Sequence, residues 1–104
     1  MSRFDVYANP DRQQSRQIPF YIDVQSDHIK GIETRMVAAL WNADFFTAKF
    51  ENLNPEFELF GQQLVMDVPS LGAVPKSFLK RPVANLAAQQ MQIQDAIDAL
   101  FGSY

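Results

Sequence analysis

Few residues in this chain could do chemistry, and their spacing decides what kind. One histidine, His28, stands beside Asp27, the minimum for a general base with an orienting carboxylate. There is no cysteine, no second histidine and no Gly-x-Ser-x-Gly elbow, so nucleophilic triads and thiolate metal sites have nothing to build on. His28 therefore reads as an exposed turn residue. Asp95 and Asp98 lie three apart on a helical pattern. Two carboxylates at that spacing are too few ligands for a cation, and they read as a solvated helix face. Arg35, in an extended segment, could steady an oxyanion, but the commoner role for such a residue is an ion pair across a sheet or an interface. Gly31, Gly61 and Gly72 are isolated, so no phosphate-cradling loop is present. Phe45, Phe46, Phe50, Phe57 and Phe60 crowd the middle third with Lys49 as the only basic residue among them. They read as core rather than as a platform for nucleic-acid bases. No catalytic residue, metal ligand or cofactor is expected.

The elements that would position these residues follow from periodicity. Phe4, Val6 and Ala8 alternate with Asp5 and Tyr7, as do Phe20, Ile22 and Val24 with their neighbours; both read as strands of one hairpin. The loop between them, opened by Asn9-Pro10-Asp11, is long for a hairpin and mainly polar, which suits binding. Thr34 to Leu40 reads as a third strand, and Asn42 as the N-cap of a short helix or turn. Phe57 with Leu59, and Leu64 to Met66, read as a second hairpin turning at residues 61–63. Pro69, Pro75 and Pro82 leave room for only a short strand around Val74. From Pro82 to Phe101, Val83, Leu86, Ala87, Gln90, Ile93, Ile97, Leu100 and Phe101 recur at spacings of three and four. That is an amphipathic helix with Gly102 as its C-cap. The fold class expected is mainly β with one C-terminal α-helix, a small antiparallel barrel of about five strands. A single domain spans residues 1–104, with strands over about 3–81 and the helix over about 82–101.

Composition sets the bounds. The chain has 104 residues, 47% apolar and 20% charged, with a net charge of −3. This fits one globular domain and argues against direct nucleic-acid binding, which usually needs a basic patch. No stretch is apolar enough to span a membrane, and charge appears at Arg3 and Asp5 before any apolar run. A cytoplasmic protein without a secretory leader is expected. A domain this small buries little surface alone, and a homodimer would bury more.

Several strings resemble the CcdB family, the gyrase-poisoning toxins of type II toxin–antitoxin modules. The most specific are Asp23-Val24-Gln25-Ser26-Asp27 and the terminal helix with Asp95-Ala96-Ile97-Asp98 and Leu100-Phe101. Phe4-Asp5-Val6-Tyr7, Phe20-Tyr21-Ile22, Arg35-Met36-Val37 with Leu40, Leu53-Asn54-Pro55 and Val74-Pro75 fall in the family's order at similar spacing. The resemblance covers essentially the whole chain. It implies an SH3-like barrel that forms a homodimer, a toxin that binds the gyrase A subunit and traps the cleaved DNA complex without making or breaking a bond itself, and a CcdA-type antitoxin that neutralises it. The gyrase surface implied is His28, Ile29, Asp98, Phe101, Gly102, Ser103 and Tyr104. The antitoxin surface implied is Ala8, Asn9, Pro10, Asp11, Arg12, Gln13, Gln14, Ser15 and Arg16. Gly102 stands where the best-known toxin has tryptophan, and the alternative reading is a scaffold that has lost gyrase poisoning and serves as an antitoxin or repressor-complex partner. A messenger-RNA-cleaving relative is disfavoured by the weak basic character and the absence of an acid–base pair.

Overall fold

The computed structural model describes residues 1–47, 49–50 and 52–102. Six strands form one antiparallel sheet that curls into a half-barrel, and a single helix packs on its concave face. The strands are β1 (Asp5–Ala8), β2 (Phe20–Asp23), β3 (Thr34–Asn42), β4 (Glu56–Leu59), β5 (Gln62–Pro75) and β6 (Pro82–Asn85), followed by helix α1 (Gln90–Phe101). The spatial order is β4-β5-β3-β2-β1-β6.

Alternation explains which side chains face the helix. Val6, Ile22, Ala38, Leu40, Leu64, Met66 and Val68 point inward and pack with Ile93 and Ala96 of α1. Burying these apolar surfaces at roughly 25 cal/mol per Å² is the main favourable term for so small a domain. The opposite face is partly covered by the segment after β5, where Leu79 packs against Tyr7 and Val37. Phe4 has φ 72°, rare for a bulky residue. Its backbone is held from both sides: its N–H donates to the Asp23 carbonyl at 2.6 Å, and its carbonyl accepts from the Leu86 N–H at 2.9 Å. That twist turns the chain into β1 and seats the Phe4 ring in the core.

The structure corrects the sequence reading in four places. The helix starts at Gln90, not near Pro82. Pro82–Asn85 instead pairs with β1 as the sheet edge, with Val6 opposite Ala84. Proline is tolerated there because it opens an edge strand. The Asn85 side chain then accepts from the Ala87 N–H at 2.8 Å and starts a 3₁₀ turn over Ala87–Gln89. The second hairpin turns at Phe60-Gly61, both with positive φ, rather than at 61–63. Prolines do not divide the region after it. β5 runs from Gln62 to Pro75, and Pro69 sits in a bulge where four residues, 68–71, face the single residue Ala38. Of the middle phenylalanines only Phe57 belongs to the core; Phe45, Phe50 and Phe60 are exposed and Phe46 is half-buried. The short turn after β3 is as expected: the Asn42 side chain accepts from the Asp44 N–H at 3.0 Å and caps a 3₁₀ turn over Ala43–Phe45.

One ion pair is fully enclosed. Arg35 Nε donates to Asp23 Oδ2 at 2.7 Å, with both side chains almost wholly buried. Asp23 Oδ1 accepts from the Gln25 N–H at 3.0 Å. The Arg35–Asp23 hydrogen bond is the main reason the Arg35 guanidinium is held above its ordinary pKa. Removing one partner strands the other charge away from water. Arg35→Ala is therefore expected to cost about 3–5 kcal/mol in denaturant unfolding, with Arg35→Lys recovering only part of it.

The Tyr7 hydroxyl lies beside this pair without a hydrogen-bond partner. Burial, then the negative charges of Asp5 and Asp23, push its pKa up to about 12 from 10. The folded state prefers the protonated phenol, so this contribution is intact below pH 10 and is lost as pH rises toward 12. Tyr7→Phe should be neutral or stabilising at pH 7, because an unsatisfied buried hydroxyl is removed. It should also abolish a pH 10–12 stability loss on the order of 2 kcal/mol relative to the parent, read by urea melts across that range.

Candidate functional site

The site is built where the β2–β3 connection meets the end of α1. After Asp23, Val24 turns into the core and the chain forms a tight turn: the Ser26 hydroxyl accepts from the His28 N–H at 3.2 Å, and the Ser26 carbonyl from the Ile29 N–H at 3.3 Å. His28 and Ile29 project from this turn into solvent. Asp27 fixes its base, accepting from the Arg3 N–H at 2.8 Å and lying 3.8 Å from Arg35 Nη2.

Arg3 joins this turn to the helix. Its Nε donates to the Val24 carbonyl at 3.0 Å and its Nη2 to Gln94 Oε1 at 2.8 Å. Gln94 Nε2 in turn donates to Asp98 Oδ1 at 2.9 Å. A continuous polar strap thus runs from Asp27 through Arg3 and Gln94 to Asp98. Ile29 and Phe101 line one cleft; His28 lies instead with Ala87 and Gln90, toward the start of the helix, and Asp98 is half-buried. Phe101 is 68% exposed at the last helical position. Gly102 ends the helix in the left-handed conformation, its N–H donating to the Asp98 carbonyl. Ser103 and Tyr104 lie outside the described residues. Asp95 is exposed, and the described residues contain no cluster of three or more metal-ligating side chains.

Between turn and helix lies a cleft of about 380 Å³ whose apolar walls include Val24, Ile29, Met36, Leu71, Ile97 and Phe101. Ile29, Met36 and Phe101 are large apolar side chains left in solvent at one place, the signature of a macromolecular contact. Gln25 adds a polar demand. Its Oε1 accepts from the Met36 N–H at 3.0 Å, which fixes the amide orientation, and its Nε2 is buried without an acceptor. An unsatisfied buried donor costs about 1–3 kcal/mol. Arg3 and Gln25 escaped the sequence reading as site residues. Their roles depend on contacts up to 91 positions apart in the chain, which no local pattern reports.

The β1–β2 loop is a separate region. Asn9 is buried and frames it: Nδ2 donates to the Ile18 carbonyl at 2.9 Å and Oδ1 accepts from the Asp11 N–H at 2.9 Å. Pro10 and Arg12 to Gln14 are exposed on this frame, and the Arg16 guanidinium lies 5.5 Å from the centre of the exposed Phe45 ring. Ala8 to Arg16 therefore forms a surface distinct from the helix-end cleft, bordered by the exposed Phe45 ring.

No curated protein matches the chain. The CcdB protein family model matches residues 3–102, nearly the whole chain. The match spans the β2–β3 turn, the helix and every strand of the sheet. The chain therefore belongs to the CcdB family, whose members are toxins of toxin–antitoxin modules that poison DNA gyrase and are not themselves catalysts.

Proposed function

We propose that this protein is the toxin of a type II toxin–antitoxin module, a non-enzymatic cytoplasmic homodimer that binds the gyrase A subunit and traps the cleaved DNA complex. The observation that carries this reading is the family match over residues 3–102. The geometry supports it: Phe101 at the helix end and Ile29 on the β2–β3 turn are exposed large apolar side chains on the walls of one cleft, and we assign His28, Asp98, Gly102, Ser103 and Tyr104 to the same gyrase contact from the family resemblance. No group in this surface needs to act as acid, base or nucleophile. Binding alone stalls the enzyme, and the free energy comes from burying aromatic and apolar side chains in the target. Dimerisation has a physical motive in the small size of the domain, which buries little apolar surface alone, and in exposed Met36. A CcdA-type antitoxin docks over the Ala8–Arg16 loop, folding as it binds.

A second reading is favoured by one feature. Gly102 caps the helix with no side chain where the best-known toxin carries tryptophan. In that reading the protein keeps the scaffold and the antitoxin contact and no longer poisons gyrase.

The experiment that separates them is a cleavage assay with purified protein, gyrase of matching source, supercoiled plasmid and ATP. The toxin reading expects linear DNA after protein denaturation. Phe101→Ala should raise the protein concentration required about 30-fold, equivalent to about 2 kcal/mol for loss of an interface aromatic, while circular dichroism stays unchanged. Absence of linear DNA with folded dimeric protein would leave the scaffold reading.

A further inference from the structure

The face of the sheet that points away from α1 carries a second hollow, unrelated to the helix-end cleft. Strand register builds it. Tyr7 stands opposite Tyr21, Tyr21 opposite Ala39, and Ala39 opposite Asp67. Residues in register across a sheet share a face, so these side chains form one row on β1, β2, β3 and β5. Ala39 contributes only a methyl group. It leaves a gap about two strand spacings wide, roughly 10 Å, between the Tyr21 ring and the Asp67 carboxylate. Trp41, two residues along β3 on the same face, walls one end. The 68–71 bulge opens the other, because those residues have no register partner on β3. The resulting hollow has a volume of about 310 Å³.

Its chemistry is specific. Trp41 Nε1 donates to Asp67 Oδ2 at 3.3 Å, which orients the half-buried carboxylate along the indole edge. Asp67 takes part in none of the ion pairs among the described residues. A negative charge thus sits between two aromatic rings and aliphatic walls with no cation opposite it. A guanidinium suits this space better than an ammonium. It is planar, stacks on aromatic faces and offers paired N–H donors to a carboxylate. The hollow opens at the surface and has room for a single side chain. We infer that the Tyr21–Ala39–Asp67 row, closed by Trp41, is a binding site for the guanidinium of an arginine carried by a polypeptide partner. Because it occupies the opposite sheet face from the helix end, its failure would leave the gyrase reading untouched.

Trp41 is the only tryptophan in the chain, so its indole ¹H–¹⁵N resonance reports on this site alone. The full-length ¹⁵N-labelled protein is titrated with N-acetyl-argininamide, and separately with N-acetyl-citrullinamide, its uncharged near-isostere, and tetramethylammonium. The expected result is a saturable shift with the arginine probe in the millimolar range and at least tenfold weaker response to the other two. Asp67→Asn keeps an acceptor for Trp41 and should weaken the arginine response at least tenfold. Ala39→Leu fills the hollow with an apolar side chain and should abolish it while the rest of the spectrum persists. A shift of equal size with citrullinamide, an unchanged response in Asp67→Asn, or no saturable shift would overturn the proposal. Tighter binding of tetramethylammonium would overturn its preference for a guanidinium.

Discussion

The enclosed pair between Asp23 and Arg35 is the constraint on which the functional end of the molecule depends. A carboxylate inside a small domain is tolerated only with its oxygens satisfied. Here one oxygen takes the Arg35 Nε–H and the other takes the Gln25 N–H. Those two bonds fix where the chain leaves β2 and how Gln25 enters the interior. Gln25 then accepts from the Met36 N–H, tying the far side of the connection to β3. The turn that follows has little freedom left, so His28 and Ile29 are presented without large hydrophobic anchors of their own. Electrostatic order inside the domain becomes shape at its surface.

Arg3 extends that order to the helix. A helix of three turns packed mainly through Ile93 and Ala96 can slide or rotate slightly at small energetic cost. Arg3 binds the turn through Val24 and the helix through Gln94, and Gln94 holds Asp98. Turn and helix end therefore present one surface. This architecture fits a toxin whose action is binding. In the proposed reading the target receives an apolar projection, and the fold presents Phe101 at the end of a braced helix rather than on a loop.

Much of this was legible in the residues. The alternation in Phe4–Ala8 and Phe20–Val24, the Asn42 cap and the αL glycine at 102 are local signals, and the structure follows them. Arg35 also behaves as its place in a strand suggested, pairing with an acid on the neighbouring strand. The misplaced helix start has a nonlocal cause. Val83 and Leu86 fit a helical period, but Pro82–Asn85 gains ladder hydrogen bonds with β1 that a helix there would forgo, and closure of the sheet edge wins. Apolar residue type likewise could not tell core from surface for Phe45, Phe50 and Phe60, because the chain has more aromatic side chains than its small interior can hold. The cleft, the Arg3 strap and the Trp41 hollow all arise from register and from contacts between distant segments.

The claim that the turn and the helix end act as one surface can be tested through Arg3, which touches neither solvent-facing Phe101 nor Ile29 by hydrogen bond. The measurement is gyrase-dependent plasmid linearisation by Arg3→Met, which keeps an unbranched apolar stem but loses the guanidinium donors to the Val24 carbonyl and to Gln94. The account predicts a folded protein with unchanged Phe101 and Ile29 and at least tenfold weaker trapping. Trapping at the parental level by a folded Arg3→Met protein would contradict it.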